Sequence, residues 1–406
     1  MPENDYYPSR ILDNVDRRQK INISIRDSRI LVVEDSLANR RLLKAFLESA
    51  EYTNIEYAED GLVGLEKVET YNPDLVILDI QMPNLNGYGF LEKLRADERF
   101  MDLPVLVQTA FTEPEQRNKA FLVGGTDLIT KPINHIEFIS RVRIHLENRI
   151  LLRSLQDYHY RLENELNAAQ KMQEALLPAS SHLSEIRTKF SMEIESYFEP
   201  SSELGGDFWA IQCLDEKRIA VSMVDFSGHG VNSALNTFRL HTLMGIADLP
   251  KFDPASYLKV LNEKLVALIP RGQFATMFYG IVDLENNSLT YSAAASPSPV
   301  VGIKEDFKFV ETSGMPLGIS NKAVYENRIV DFPAGSFLFL YSDALTESEG
   351  LNLPMLDEDG LATLLSEGFD KSKQQHPFNY ILDGFGQRVP RPLPDDLTAV
   401  WMARLN

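Results

Sequence analysis

The sequence contains a single cysteine, Cys213, no long apolar run, and fewer basic than acidic side chains. One cysteine excludes a disulfide framework and thiolate metal clusters, and is typical of a reducing cytosol. No stretch approaches the roughly 18 to 20 apolar residues that a transmembrane helix needs. With 40 Lys and Arg against 59 Asp and Glu, the net charge of −19 argues against binding to nucleic acid. These absences predict a cytoplasmic protein that binds neither nucleic acid nor membrane.

The length of 406 residues predicts two or three domains, because a single hydrophobic core seldom extends over so long a chain. Hydrophobic residues make up 44% of the sequence, which is enough for well-packed cores. Residues 1–28 are polar and mixed in charge, and they lack the apolar centre of a signal peptide. We therefore expect this segment to be a mostly disordered extension.

In residues 29–135, short apolar runs alternate with amphipathic helical patterns. This alternation predicts a doubly wound α/β domain with a parallel sheet. Ligands of such sheets bind beyond the carboxyl ends of the strands. The predicted strands are Arg29–Val33, Asn54–Ala58, Asp74–Leu78, Pro104–Gln108 and Asp127–Ile129.

Polar residues follow the predicted strands at that edge. Glu34 and Asp35 follow the first strand and Asp79 the third, while Thr109 and Lys131 follow the fourth and fifth. Three carboxylates in one crevice would repel one another strongly, so we expect a divalent cation there. A lysine and a hydroxyl at the same edge suit a transferred phosphoryl group.

The motifs Val-Val-Glu-Asp-Ser, Leu-Asp-Ile-Gln-Met-Pro, Gln-Thr-Ala and Thr-Lys-Pro occur here in order. With these motifs and their spacing, the whole segment resembles the receiver domain of response regulators. The resemblance implies that a histidine kinase donates a phosphoryl group to Asp79. The residues implied to hold Mg²⁺ are Glu34, Asp35, Asp79 and the carbonyl of Gln81, and those implied to contact the phosphoryl oxygens are Thr109 and Lys131.

One position departs from the receiver pattern. Leu128 stands where the family usually carries an aromatic switch residue, which affects the switching mechanism rather than phosphorylation. The alternative interpretation of the segment is a flavodoxin-like domain whose acidic cluster has no function.

Residues 136–178 form a connector without proline or glycine before Pro178, which predicts a continuous helix. Counting alternately four and three from Ile144 gives a narrow, mostly apolar stripe flanked by charge, which favours a two-stranded coiled coil and a homodimer. The alternative is a helix that packs on its own C-terminal domain, and both could hold, because the end of the segment resembles the switch helix of bacterial stress phosphatases. The stripe comprises Ile144, Asn148, Leu151, Leu155, Tyr158, Leu162, Glu165, Ala169, Met172 and Leu176.

Residues 179–406 contain many short alternating runs with helical stretches between them, which predicts an α+β domain with a β-sandwich flanked by helices. Four aspartates lie beside turns at the ends of such runs. Strand ends of two packed sheets meet at one edge, and aspartate oxygens are ligands suited to magnesium or manganese. The four residues, Asp207, Asp225, Asp343 and Asp395, therefore predict a metal centre.

Six motifs in this region occur in a fixed order: Gly-Gly-Asp-Phe-Trp, Asp-Phe-Ser-Gly-His-Gly, Phe-Ala-Thr-Met-Phe-Tyr-Gly, Gly-Met-Pro-Leu-Gly, Tyr-Ser-Asp-Ala-Leu-Thr-Glu and Asp-Asp-Leu-Thr. With them the region resembles the metal-dependent protein phosphatases of the PPM (PP2C) class, in the branch of the sporulation stage II E type. The resemblance implies two Mn²⁺ or Mg²⁺ ions and hydrolysis of phosphoserine or phosphothreonine. The residues implied at the metals are Asp207, Asp225, the carbonyl of Phe226, Asp343 and Asp395, with Asp396 beside them.

The family likeness further implies a substrate, a phosphorylated anti-anti-sigma factor of the STAS type in a partner-switching pathway. The alternatives are a pseudophosphatase adaptor that binds a sigma factor or its antagonist, which the retained aspartates disfavour, and a DNA-binding response regulator, which the charge disfavours. The chain departs from the family at residues 293–296 and at Ala344, and neither change removes a metal ligand. His229 is a candidate general acid, although its Ser-Gly-His-Gly setting favours a role in the turn.

Overall fold

The computed structural model describes residues 25–110, 114–228, 230–246, 248–350, 355–372 and 375–405. The chain divides into two compact units between Leu162 and Glu163. Most of the predicted N-terminal extension lies outside the described residues. The expectation of disorder is wrong for residues 25–28, because Ile25 is buried in the core of the first unit and its carbonyl accepts a hydrogen bond from the Ser28 N–H.

The first unit is a parallel five-stranded sheet with helices between successive strands. The sheet order is β2-β1-β3-β4-β5. The elements are β1 (Ile30–Val33), α1 (Leu37–Ser49), β2 (Ile55–Ala58), α2 (Gly61–Tyr71), β3 (Leu75–Asp79), α3 (Gly87–Arg95), β4 (Val105–Thr109), α4 (Pro114–Leu122) and β5 (Asp127–Thr130).

Local capping fixes where the helices of this unit begin. Asp60 accepts hydrogen bonds from the N–H groups of Leu62 and Val63, and Ser36 and Asn86 cap α1 and α3 in the same way. Such caps satisfy backbone donors that a helix leaves unpaired at its start. The chain therefore leaves each strand and enters a helix within a few residues, which leaves the carboxyl edge of the sheet to polar side chains.

A helix of 40 residues, α5 (His135–Glu174), begins in the first unit and ends in the second. Its first turns bury Phe138, Val142 and Leu146 in the core of the first unit. Further along, the side chains of Leu155 and Tyr158 are 63% and 61% exposed. The predicted long helix is present, although it ends four residues before Pro178, and an apolar stripe on it is exposed.

The second unit contains two antiparallel five-stranded sheets, ordered β13-β10-β9-β8-β7 and β12-β11-β14-β15-β6. The strands are β6 (Met192–Glu199), β7 (Phe208–Cys213), β8 (Arg218–Phe226), β9 (Ala275–Asp283), β10 (Ser288–Ala294), β11 (Val300–Ile303), β12 (Asp306–Phe309), β13 (Arg328–Asp331), β14 (Phe337–Tyr341) and β15 (Leu397–Arg404). The helices are α6 (Ser180–Phe190), α7 (Val231–Met244), α8 (Pro254–Val266), α9 (Ala344–Glu347), α10 (Glu358–Asp370) and α11 (Pro377–Gly386).

Apolar side chains from both sheets form one buried core in this unit. Val221 and Met223 of the first sheet belong to the same cluster as Leu340 and Val400 of the second. Helices α7 and α8 pack in a cluster with the first sheet, and α10 and α11 in a cluster with the second. This is the predicted arrangement of two antiparallel sheets with helices on their outer faces. Among the described residues, no helix is both long and apolar enough to cross a membrane.

Candidate functional site

The first unit gathers three carboxylates at the carboxyl edge of its sheet. Glu34 and Asp35 follow β1, and Asp79 is the last residue of β3. One oxygen from each of the three lies within 4.8 Å of the others. Glu34 and Asp79 are buried, whereas Asp35 is exposed. Three converging carboxylate oxygens form a fitting ligand set for one divalent cation such as Mg²⁺.

Lys131 connects two of these acids. Its Nζ lies 2.7 Å from Asp79 Oδ2 and 3.1 Å from Glu34 Oε2. Burial would lower the pKa of Lys131, but the hydrogen bonds and negative charges of Asp79 and Glu34 outweigh burial and raise it. Lys131 therefore remains a cation beside the carboxylate that the sequence singles out as the phosphoryl acceptor.

The other predicted receiver residues lie around Asp79. Thr109 is the buried last residue of β4, the strand that pairs with β3. The Gln81 N–H lies 3.5 Å from Asp79 Oδ1. Leu128, at the position of the expected aromatic residue, is buried in the core on β5. Strand order thus brings the predicted acidic, hydroxyl and lysine side chains to one edge.

The second unit gathers the other predicted acids at the ends of strands from both sheets. Asp207 directly precedes β7 and Asp225 lies near the end of β8, which pairs with β7. Asp343 follows β14 by two residues, and Asp396 directly precedes β15, which pairs with β14. The two sheets therefore each supply part of one acidic centre.

The pKa shifts in this centre report burial together with mutual repulsion. Burial, followed by the charges of Asp225 and Asp396, raises the pKa of Asp207 well above its usual range. Burial and the charge of Asp343 raise the pKa of Asp225 to about 8. Burial and Asp395 raise that of Asp343 to about 6. A divalent cation would remove this repulsion, because it favours the ionised form of every carboxylate that it contacts.

Asp207 supplies the observation that best fits a metal. Both of its carboxylate oxygens are buried, and neither has a hydrogen-bond partner of normal geometry among the described residues. Thr398 lies near enough to lower the pKa of Asp207, but burial and the two acidic neighbours outweigh it. Buried polar atoms are nearly always paired, so these two oxygens are available as metal ligands.

Ser342 joins the two strand ends that carry the later acids. Its N–H donates to the carbonyl of Thr398 at 2.8 Å, and its hydroxyl donates to the carbonyl of Asp396 at 2.9 Å. The same hydroxyl accepts from the Thr398 N–H at 2.9 Å. These bonds fix Asp343 relative to Asp395 and Asp396. The sequence motif gave no indication of this role, because a serine beside an aspartate is also common in simple turns.

Two family descriptions match the chain. "Response regulator receiver domain" matches residues 30–143, and "Stage II sporulation protein E (SpoIIE)" matches residues 215–405. The chain joins a receiver domain to a SpoIIE-like phosphatase domain. This confirms the resemblance drawn from the motifs.

Individual relatives cover parts of the chain. The "DNA-binding dual master transcriptional regulator RpaA" of Synechocystis sp. is 36% identical over 115 residues, which cover 28% of this chain and 47% of that protein. A "Probable cyclic di-GMP phosphodiesterase" of Vibrio cholerae is 33% identical over 39% of this chain and 36% of its own length. The "Response regulator PleD" of Caulobacter vibrioides is 38% identical over 29% of this chain and 25% of its own length. The chain thus spans less than half the length of these relatives.

A solved structure resembles the SpoIIE-like domain. The "SiaA-PP2C domain of Pseudomonas aeruginosa" aligns with a TM-score of 0.52 and 20% identity over 61% of this chain and 99% of that one. At this identity the likeness concerns the fold alone. It agrees with the two antiparallel sheets of the second unit.

Both carboxylate oxygens of Asp396 accept hydrogen bonds from the loop of the SpoIIE-like domain that precedes Asp207. Its Oδ1 accepts from the N–H of Ser201 at 2.6 Å and from the hydroxyl of that residue at 2.9 Å, and its Oδ2 accepts from the Gly206 N–H. Asp395 accepts only the N–H of Asp396 among the described hydrogen bonds. Asp395 is therefore the better candidate for a metal ligand, and Asp396 positions the loop.

The glycines of this loop are required by close packing. A Cβ at Gly206 would lie 2.8 Å from the carbonyl oxygen of Phe226, and one at Gly205 would lie 2.9 Å from Asp396 Oδ2. The predicted Phe226 carbonyl thus lies beside the loop that carries Asp207. His229 lies outside the described residues.

Gln173 contacts the same loop from the end of α5, and sequence reasoning missed it. Its side-chain amide donates to the Gly205 carbonyl at 2.5 Å and accepts from the Gly205 N–H at 3.0 Å, and the residue is 2% exposed. A polar residue outside the apolar stripe of a helix is normally expected to face solvent, so the pattern gave no indication. The last turn of α5 is therefore hydrogen-bonded to the backbone of Gly205, two residues before Asp207.

Proposed function

We propose that the SpoIIE-like domain is a metal-dependent phosphoserine and phosphothreonine protein phosphatase. The observation that carries the proposal is the buried, unpaired carboxylate of Asp207 among acids whose pKa values are raised. Two Mn²⁺ or Mg²⁺ ions held there would activate water and neutralise phosphoryl oxygens, which removes the need for a protein nucleophile. The proposed ligands are Asp207, Asp225, the Phe226 carbonyl, Asp343 and Asp395.

The protein residues around these ligands position them and receive the substrate. Ser342 and Asp396 fix the strand ends and the loop before Asp207, so the acids keep their places without a metal. A cavity of about 420 Å³ opens beside Asp343 and is lined in part by Thr276, Ser296 and Tyr341. Its lining also includes Glu347, Asp357 and Glu358, so the phosphorylated side chain of a protein substrate would enter it only with the metal ions in place to offset this negative charge.

The receiver domain controls this activity in our proposal. A histidine kinase would phosphorylate Asp79, whose carboxylate lies with Glu34 and Asp35 in a set that fits one Mg²⁺. The carbonyl of Gln81 would complete that set. Lys131, already 2.7 Å from Asp79 Oδ2, would pair with the phosphoryl oxygens together with Thr109.

The substrate follows from the family likeness. We place the protein in the cytoplasm, where it dephosphorylates a STAS-type anti-anti-sigma protein in a partner-switching pathway. An adaptor without catalysis would not need buried acids with unpaired oxygens, so no observation favours that alternative.

Phosphate release from a serine-phosphorylated STAS protein tests the proposal. We expect release that depends on Mn²⁺ and a rate that changes when beryllofluoride mimics the phosphoryl group on Asp79, with no such response in Asp79→Asn. Release from a phosphoserine peptide but not from the STAS protein would refute the substrate. Binding of the STAS protein without any turnover would refute the phosphatase and support an adaptor.

We expect the protein to form a homodimer in which the exposed apolar stripe of α5 packs against α5 of a second copy. Leu155→Glu places a charge at a seam position of the coiled coil. By light scattering, we expect the parent to have twice the chain mass of 46.0 kDa and the variant to have the mass of one chain. Tyr160→Glu is the matched control, since Tyr160 is exposed on the same helix outside the stripe. A monomeric parent protein at micromolar concentration would contradict the coiled coil.

A further inference from the structure

A cavity of about 550 Å³ lies in the receiver domain, and none of the acids that surround Asp79 lines it. Helices α1 and α2 and strand β2 line it. Among the described residues that line it, four are basic and one, Glu59, is acidic. The four are Arg40, Arg41, Lys44 and Lys67. On a chain with a net charge of −19, this concentration of positive charge is unusual.

The two lysines of the cavity form only partly exposed ion pairs with other groups. Lys44 lies 3.7 Å from Glu48, and Lys67 lies 2.7 Å from Glu56, in pairs that are partly exposed. Such surface ion pairs contribute little stability and exchange readily for another anion. Arg41 is exposed, and within the described part of the chain it has no ion pair.

The remaining walls are apolar and include an aromatic ring. Leu37, Val63 and the ring of Tyr57 line the cavity. The Tyr57 hydroxyl is itself buried, so the ring is the part of this side chain that a ligand could contact.

We propose that this cavity binds a small phosphorylated molecule with a flat apolar part, of the nucleoside diphosphate class. Its volume lies in the range of small-molecule sites, which are mostly apolar with a few polar groups that fix orientation. Arginine guanidinium groups match phosphate geometry, and the tyrosine ring offers a surface for a planar group.

Arg40 links the cavity to the phosphorylation site. Its guanidinium donates to the backbone carbonyl of Glu34 at 2.9 Å, and the Glu34 side chain pairs with Lys131. A phosphate drawn to Arg40 would compete with this hydrogen bond. Ligand binding at Arg40 would therefore act on the backbone of Glu34, one of the acids beside Asp79.

Calorimetric titration of the full chain with ADP in EDTA tests the proposal, because chelation prevents phosphate from binding through a metal. We expect one ADP site, and we expect adenosine and pyrophosphate each to bind at least about tenfold more weakly than ADP. Arg41→Glu/Lys44→Glu should weaken ADP by about tenfold or more. Lys93→Glu/Arg117→Glu makes the same charge change at exposed positions on α3 and α4 and should bind ADP as the parent does.

Several outcomes would overturn the site. These are no ADP binding up to about 1 mM, equal binding by the Arg41/Lys44 variant, or adenosine or pyrophosphate binding as tightly as ADP. Circular dichroism would establish that both double variants are folded, so that a loss confined to the first reports the cavity.

Discussion

Asp207→Asn is expected to lower the Mn²⁺-dependent phosphatase rate by about 10³-fold or more. Asparagine keeps the volume of the side chain but removes the charge that would hold a cation at the most buried of the acids. Release of phosphate from a phosphoserine peptide, measured across a Mn²⁺ titration, checks this. Asp306→Asn, an exposed carboxylate on β12, is the matched control and should retain the parent rate.

The same substitution is expected to stabilise the metal-free protein, although it lowers the catalytic rate. The folded-state pKa values of Asp207 and Asp225 are raised, so the folded protein holds protons that the unfolded chain releases. The free energy of unfolding therefore falls as the pH rises from about 4, the pKa of an unfolded aspartate, towards the folded value of about 8 for Asp225. This loss is complete above that value.

Asp207→Asn removes one of the ionising groups behind that loss. In EDTA at pH 8, we expect its thermal midpoint to lie a few degrees above that of the parent, with a smaller difference at pH 5. Scanning calorimetry at the two pH values measures both. An unchanged catalytic rate, or a lower metal-free midpoint at pH 8, would contradict the placement of Asp207 at a metal.

The sequence predicted which side chains gather at the carboxyl edge of the receiver sheet, because the determinants of that arrangement are local. Each polar residue there directly follows an apolar run, and a parallel sheet brings all such ends to one edge, so Asp79 and Lys131 could be placed together from pattern alone. In the antiparallel domain, pattern could identify strand ends but not which ends meet. Ordered motifs supplied that information for Asp343 and Asp395.

The parts that pattern could not predict depend on partners far apart in the chain. Adjacent acids look alike in sequence, and only the hydrogen bonds from Ser201 and Gly206 separate Asp396 from Asp395. Similarly, α5 was expected to continue towards Pro178, but it ends at Glu174, and the chain turns as the Leu177 N–H bonds the Glu174 carbonyl. Local propensity does not fix where this helix ends, and its last turn is hydrogen-bonded to Gly205, 32 residues further along the chain.

Gln173→Ala is expected to lower the phosphatase rate by about tenfold or more and to raise the Mn²⁺ concentration needed for half-maximal activity. The substitution removes both hydrogen bonds to Gly205, two residues before Asp207. Because Gly205 packs against Asp396, a shift of the loop would move Asp207 relative to the other acids. The rate as a function of Mn²⁺ concentration checks the prediction.

A stability measurement separates positioning from simple destabilisation. Loss of the two hydrogen bonds leaves a buried N–H and carbonyl unpaired, so we expect the free energy of unfolding to fall by about 2 kcal/mol. Gln156→Ala is the matched control, since it removes an exposed glutamine from the same helix. It should leave both the rate and the Mn²⁺ dependence unchanged.

Gln173→Glu distinguishes the two hydrogen bonds. Glutamate can still accept from the Gly205 N–H, but it cannot donate to the Gly205 carbonyl, and its charge would lie near the acidic centre. We therefore expect its Mn²⁺ dependence to shift at least as far as that of the alanine variant, although it preserves the length of the side chain. If Gln173→Ala lost stability while its Mn²⁺ dependence matched the parent, the contact would be structural only. A shift in Mn²⁺ dependence would instead show that the end of α5 positions the loop that carries Asp207.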